Sequence, residues 1–251
     1  MVKLFGQEKL KTELYYISQD ISKNINHNIL LQGRSGYGKT TFAIYTAELA
    51  NKDYVVILGD KPIKTSSVMI IDEAHLMRTP ETLYHIMDKR LYTIFLLTTE
   101  IGDLPEPLVN RCMSLYIEEY TEKDLKNMAK HFLKINDDKI LEEIVNRSRG
   151  VPRVVKTLIE RLKVYYRNSG KHPSLDFTID VLNTFGVYRD GFTDVDYKYL
   201  ELLENNKAVS LKTLSKYLGV PTNTIENYIE PFLLRNNLIQ ITSKGRILNE
   251  I

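Results

Sequence analysis

Gly33-Arg-Ser-Gly-Tyr-Gly-Lys-Thr40 follows the apolar run Ile29-Leu30-Leu31 and precedes Thr41-Phe-Ala-Ile-Tyr-Thr-Ala-Glu-Leu-Ala50, which has the character of a helix. The stretch fits G-x-x-x-x-G-K-[ST] between a strand and a helix, the context that separates a phosphate loop from a chance match. Gly33, Gly36 and Gly38 reach backbone conformations closed to other residues, so successive N–H groups can converge on phosphate oxygens. The helix behind the loop adds the positive end of its dipole. Lys39 is then placed to hold the β- and γ-phosphates of ATP, and the Thr40 hydroxyl to ligate Mg²⁺. Tyr37 and Thr41 belong to the same candidate binding loop.

Outward from the loop, the pattern is that of alternating strands and helices. Leu10, Leu14 and Ile17 form one stripe of a helix before it. Tyr54-Val-Val-Ile-Leu58, Val68-Met-Ile-Ile-Asp-Glu73 and Tyr92-Thr-Ile-Phe-Leu-Leu97 read as buried strands, and Leu115-Tyr-Ile117 as a last one. Thr79-Pro80 opens a helix, with threonine as N-cap and proline at the first helical position. Continuous apolar strands alternating with helices indicate an α/β fold with a parallel sheet covered on both faces. Asp72 and Glu73 then fall at the carboxyl end of a strand beside the phosphate loop. Asp72 can bind Mg²⁺ there, and Glu73 can polarise the water that attacks the γ-phosphate. Asp72-Glu-Ala-His75 also spells the DEAH box of a helicase superfamily, whose other motifs are missing, so that spelling is set aside.

Beyond Thr121-Glu-Lys-Asp124, which reads as a capping box, the chain turns helical, with helices expected over 137–147, 152–167 and 176–183. Residues 188–193 read as a linker. The remainder gives helices over 194–204 and 211–217 and a third from Thr222, which Pro231 should kink or end early. Leu238-Ile-Gln-Ile241 and Arg246-Ile-Leu248 flank Thr242-Ser-Lys-Gly245 as a hairpin. Three helices and a basic hairpin make a winged helix-turn-helix. Arg235, Lys244 and Arg246 are its candidate DNA-phosphate contacts.

Composition narrows the partners. In 251 residues there is one cysteine, Cys112, which excludes intrachain disulfides and cysteine-rich metal sites. The five histidines show no metal-ligand spacing, and the formal net charge of +2 permits a nucleic-acid partner without requiring one. No apolar run is long enough to span a membrane and no signal-peptide pattern opens the chain, so a cytoplasmic setting is expected.

Four further residues are open to two readings. Thr98 and Thr99 end a strand near the loop, where a hydroxyl could orient the lytic water or simply close a turn. Arg111, in Pro107-Leu-Val-Asn-Arg-Cys112, could reach a neighbouring subunit's γ-phosphate or stand exposed. Arg153, in Arg149-Gly-Val-Pro-Arg153, could reach back to the phosphates or lie outside a capping turn.

Together these motifs resemble an AAA+ ATPase, and the C-terminal half resembles RuvB, the family of Holliday-junction branch-migration motors. The resemblance rests on Asn146-Arg-Ser-Arg-Gly-Val-Pro-Arg153, Phe185-Gly-Val-Tyr-Arg-Asp-Gly-Phe192, Asp196-Tyr-Lys-Tyr-Leu200 and Thr224-Ile-Glu-Asn-Tyr-Ile-Glu-Pro-Phe-Leu233, with the wing Thr242-Ser-Lys-Gly-Arg246. It implies a P-loop AAA+ core over 1–119, a helical lid over 120–186 and a winged helix over 187–251. It also implies that Lys39 and Thr40 are Walker A, Asp72 and Glu73 Walker B, Thr99 sensor 1 and Arg153 sensor 2. Phe5, Gly6 and Gln7 would border the adenine, and Arg111 would act on a neighbour's nucleotide.

The chain departs from that family in a short lead before Phe5 and a short segment between the two Walker motifs. Tyr84–Thr93 leaves no room for the long hairpin by which RuvB engages its partner RuvA, and the first of two family arginines before Cys112 is missing. So compact a form suggests a phage or mobile-element member, with a phage or host replication or recombination protein as partner. The expectation is an oligomeric ATP-hydrolysing motor, ring or spiral, on branched or duplex DNA. Two alternatives stand beside it: a helicase or clamp loader or replication initiator, and a nucleotide-gated DNA-binding regulator.

Overall fold

The computed structural model describes residues 3–249. Its contacts divide the chain into two units. One runs up to Phe132 and takes in Gly150–Thr157; the other comprises Leu133–Arg149 and the described residues from Leu158 onward. The first three helices of the chain, α1 (Glu8–Ser22), α2 (Lys39–Leu49) and α3 (Glu81–Asp88), all lie in the first unit.

That first unit is built on a parallel sheet. Its strands are β1 (Asn28–Gln32), β2 (Tyr54–Leu58), β3 (Val68–Asp72), β4 (Thr93–Thr98) and β5 (Met113–Tyr116), in the order β2-β3-β4-β1-β5. Alternate residues of the apolar strands serve opposite faces. Ile29 and Leu31 of β1, with Phe95 and Leu97 of β4, pack under α1 and α2. Leu30 and Leu96 turn the other way, onto Leu83 and Met87 of α3. This two-sided burial explains why the strands read as unbroken apolar runs rather than alternating ones.

In the sheet register Gln32 lies opposite Thr98, and Leu58 opposite Asp72. The Gly33 N–H donates to the Thr98 carbonyl at 3.3 Å. The ends of β1, β3 and β4 therefore open on one edge, the carboxyl edge where parallel sheets place their ligands. Two connections are short. β2 and β3 are joined by residues 59–67 without a helix, held where Asp53 accepts hydrogen bonds from the Ser66 and Ser67 hydroxyls at 2.6 Å. Residues 89–92 alone connect α3 to β4. The start of α3 differs from expectation: Pro80 is the N-cap, and the Thr79 carbonyl rather than its hydroxyl accepts from Thr82. After the short helix α4 (Glu106–Val109) and β5 comes α5 (Glu122–Leu133), capped as its sequence indicates, with the Thr121 hydroxyl accepting from Asp124 N–H at 3.2 Å.

The second unit contains α6 (Asp138–Arg147), the later part of α7 (Pro152–Asn168), α8 (Leu175–Thr184), α9 (Asp194–Glu204) and α10 (Leu211–Leu218). A helical run follows, made of α11 (Thr222–Thr224), a π turn over Ile225–Ile229 and α12 (Glu230–Arg235). The antiparallel hairpin β6 (Ile239–Thr242) and β7 (Gly245–Leu248) closes the fold. Tyr199, Leu214, Ile225 and Leu233 lie at its apolar centre. Pro231 does not end the run early. It has no N–H to donate, and the run departs from α geometry just before it, in the π turn Ile225–Ile229, then continues through it as α12.

The expected linker is likewise ordered. The buried Arg147 guanidinium donates to the Asn183 side chain at 2.7 Å and to the Val187 carbonyl, and Arg149 donates to the Gly191 carbonyl at 2.8 Å. Gly191 has φ +86, and a Cβ there would stand 2.9 Å from Arg149 Cγ, so both conformation and packing require glycine.

Candidate nucleotide site and winged-helix surface

A cavity of about 470 Å³ opens at the carboxyl edge of the sheet, within the first unit. Gly36 and Gly38 of its phosphate loop both have positive φ, 79° and 92°. A Cβ on Gly36 would stand 2.9 Å from Val151 and 3.1 Å from the Arg153 Cβ, and Arg153 N–H donates to the Gly36 carbonyl at 3.2 Å. The turn before α7 is thereby seated on the loop, which brings Arg153 into the cavity wall.

Lys39 is buried, and its ammonium donates to the Gly33 carbonyl at 2.8 Å. Desolvation lowers its pKa from the ordinary lysine value; Glu73 and then Asp72 oppose that shift, and Arg153 adds to it. The Thr40 hydroxyl donates to Asp72 Oδ2 at 2.8 Å, while Asp72 Oδ1 accepts the Glu73 N–H at 3.0 Å. Glu73 has φ 49, a left-handed backbone that turns the chain sharply as it leaves β3.

The hydroxyl and carboxylate of Thr40 and Asp72 are hard oxygen donors at hydrogen-bond distance. A site of few protein ligands, completed by phosphate and water, suits Mg²⁺. No cluster of three or more His, Cys, Asp or Glu suited to a metal occurs among the described residues.

The remaining wall is apolar and aromatic. Phe5 lies 6.0 Å from the Phe132 ring, centroid to centroid. The Tyr120 hydroxyl donates to the Tyr37 carbonyl at 3.0 Å, and Met128 and Lys156 complete that side. Tyr120, Met128, Phe132 and Lys156 were not among the candidates. For all but Tyr120, which precedes α5, the signal lay in helical spacing: Phe132 follows Met128 by four residues and Lys156 follows Arg153 by three, so each pair shares a helix face.

Several candidates sit elsewhere. Gly6 and Gln7 do not line the cavity. A Cβ on Gly6 would stand 2.7 Å from the Asp124 carboxylate, and Gln7 is clasped to the Glu118 backbone by bonds of 2.8 and 3.0 Å. Gly33 follows β1 against Ile117, at the root of the loop. Thr99 is exposed and outside the cavity wall; Thr98, one residue earlier, is buried, with its hydroxyl 3.2 Å from His75 Nδ1. β4 is buried on both faces and ends at Thr98, so Thr99 falls just past the strand end, where the chain is exposed.

Arg111 is held within its own chain. Its Nε and Nη2 donate to Asp88 at 2.8 and 3.3 Å, its Nη1 donates to the Pro107 carbonyl at 2.7 Å, and the group lies 4.7 Å from the Tyr84 ring centroid. Asp88, first by hydrogen bonding, raises its pKa further.

On the winged helix, Lys244 and Arg235 are exposed. Arg246, expected to touch DNA, is engaged inward. Its Nε and Nη2 donate to Glu230 at 2.8 and 3.2 Å, and Glu230 also accepts the Tyr199 hydroxyl at 2.9 Å. Two of its nitrogens are thus turned to a buried carboxylate rather than outward, which counts against the expected phosphate contact.

Comparison with known proteins adds family evidence. Residues 189–250 match the model of the RuvB C-terminal winged helix domain. The Holliday junction branch migration complex subunit RuvB of Campylobacter fetus is 31% identical over 97% of this chain and 84% of its own length. The Mycoplasma genitalium subunit of the same name is 30% identical over 91% and 86%. The first of these alignments spans 289 positions against a chain of 251, so the relative carries segments absent here. Among solved structures, the Thermotoga maritima RuvB branch migration motor superposes with a TM-score of 0.84 at 26% identity, covering 98% of this chain and 93% of its own.

Proposed function

The chain belongs to the RuvB family, and from that premise we propose that it is an ATP-hydrolysing DNA motor driving branch migration at Holliday junctions or other branched or duplex DNA. The observation that carries this reading is the convergence of Lys39, Thr40, Asp72, Glu73 and Arg153 on one cavity at the sheet's carboxyl edge. We further propose that it works as a homo-oligomer, ring or spiral, and that its functional parts are the core 1–119, the lid 120–186 and the winged helix 187–251.

In this reading the loop N–H groups and Lys39 grip the β- and γ-phosphates. Lys39 exchanges the Gly33 carbonyl for phosphate oxygen, a stronger acceptor for an ammonium. Thr40 and Asp72 would hold Mg²⁺, which when bound would supply charge neutralisation for the phosphates. Glu73 accepts a proton from the attacking water. Arg153 adds positive charge from the loop side, and a neighbour's Arg111 does so across the subunit interface. Phe5, Phe132 and Met128 offer apolar faces to the adenine. Lys244 and Arg235 contact DNA phosphates, which position the protein without reading sequence.

The test separates grip from chemistry. Lys39→Ala should lose ATP binding, whereas Glu73→Gln should bind ATP and fail to hydrolyse it. Both should fail to move a synthetic four-way junction that the unaltered protein branch-migrates. Hydrolysis at the normal rate by Glu73→Gln would remove Glu73 from the water-activating role. Micrographs with an ATP analogue and the junction separate motor from loader, since duplex threading a closed ring supports the former and an open spiral on a partner the latter.

A further inference from the structure

The sequence carries Asp72-Glu-Ala-His75, and the mechanism above uses only its first two residues. The fold gives the fourth a place. After Glu73 a single 3₁₀ turn, Ala74–Leu76, brings the His75 ring toward the end of β4. There its Nδ1 lies 3.2 Å from Thr98 Oγ1 and 3.7 Å from Glu73 Oε2, with the ring largely buried. We propose that His75 is the positioning residue for Glu73, presenting an Nδ1–H that fixes the carboxylate's place at the γ-phosphate water. This rests on the assignment of Glu73 made above.

The direction of the hydrogen bonds supports it. Thr98 is fully buried, and its hydroxyl has one hydrogen to give. That hydrogen goes to the Glu100 carbonyl at 3.1 Å, while the oxygen accepts the Glu100 N–H at 3.0 Å. With that hydrogen on Glu100, Thr98 is an acceptor toward His75, the arrangement in which Nδ1 carries the proton. The other group facing that nitrogen is the Glu73 carboxylate. Its distance exceeds a hydrogen bond, yet a shift of about half an ångström would make one.

Thr98 is itself anchored, because its carbonyl accepts the Gly33 N–H at the root of the phosphate loop. The ring thus links Glu73 to the strand that carries the loop. Glu73 needs such a link, for it leaves β3 in a left-handed conformation that leaves its side chain partly exposed. A carboxylate held only by its own backbone would sample rotamers that miss the water.

Asparagine and glutamine distinguish this from a packing role. The Asn amide nitrogen stands near the Nδ1 position of histidine and the Gln amide nitrogen near Nε2. His75→Asn should keep most of the ATPase kcat, and His75→Gln and His75→Ala should lose about tenfold to a hundredfold, the range expected when a catalytic group is misplaced by about an ångström. ATP affinity should stay within about twofold in all three, because the phosphate grip lies with Lys39. Thr98→Val should lower kcat and Thr98→Ser should not.

Equal kcat for the Asn and Gln variants would overturn the proposal, as would a normal kcat for His75→Ala. Should the alanine variant not fold, the Asn–Gln contrast and the Thr98 pair decide the matter. Normal hydrolysis by Glu73→Gln would overturn the Glu73 assignment and this inference with it. An inactive Glu73→Gln beside a fully active His75→Ala would overturn this inference alone.

Discussion

Replacing Arg246 with alanine should unfold the winged helix before it weakens DNA binding. The Arg246 side chain is 14% exposed and Glu230 3%, and they meet through two bonds of 2.8 and 3.2 Å, with Glu226 a further 3.8 Å contact. The Glu230 pair is nearly out of water, so deleting one member strands the other's charge. Such a deletion costs about 3–5 kcal/mol, against the ~0–1 kcal/mol of an exposed pair. A domain is stable by only about 5–15 kcal/mol, so this is a large share. With a urea slope of about 1–3 kcal/mol/M, the unfolding midpoint of the winged-helix transition should fall by about 1 M or more.

Lys244→Ala is the matched control. It removes an exposed charge on the same hairpin, should change stability by less than ~0.5 kcal/mol, and should lower the salt slope of DNA binding by about 0.9. Glu230→Gln added to Arg246→Ala should recover part of the lost stability, because the stranded charge is gone. The assay is urea unfolding of the full chain followed by circular dichroism, beside DNA titrations at several salt concentrations. An Arg246→Ala protein that unfolds normally but binds DNA with a salt slope reduced by about one would refute the reasoning and return Arg246 to the DNA surface.

Mixing Arg111→Ala with Glu73→Gln subunits should restore ATPase activity that neither shows alone, since some interfaces then pair an intact site with an intact arginine, worth a factor of roughly 10³ or more; no rescue in demonstrably mixed oligomers would count against action in trans. Burial pushes the Cys112 thiol up to about 12, so the folded protein should resist alkylation at pH 8, and reactivity should appear only as denaturant unfolds the chain and returns the thiol to an ordinary pKa of about 8.5; rapid labelling of the native protein would contradict the burial. Because four residues, 89–92, connect α3 to β4, purified bacterial RuvA should not stimulate ATPase or branch-migration activity on a four-way junction; strong stimulation would mean that another surface has replaced the hairpin.

What could be read from the sequence was what local pattern encodes. The phosphate loop is one contiguous stretch, and β1, β3 and β4 are buried on both faces, so an unbroken apolar run suffices to find them. The capping box at Thr121 is equally local. What escaped depends on which way a side chain faces or on partners far along the chain. Thr98 and Thr99 are chemically equivalent in a string of letters, and only the fold shows that β4 ends at the first, burying it beside His75 and leaving the second exposed. The DEAH spelling looked accidental because its fourth letter has no meaning until the turn after Glu73 carries it to another strand.

Arg246 shows the same limit from the other side. A basic residue on a hairpin reads as a DNA contact, but Glu230 lies sixteen residues earlier, on a different element, and claims the guanidinium first. Pro231 reads as an obstacle that would kink the helix or end it; the run distorts into a π turn before it and continues, and the sequence does not decide between the two courses. In each case the residue's chemistry was legible and its partner was not. Site residues assigned by motif are therefore most secure where the motif supplies its own partners, as the loop does for Lys39 through the Gly33 carbonyl, and least secure where a charged side chain was assigned to solvent for want of a visible counter-ion.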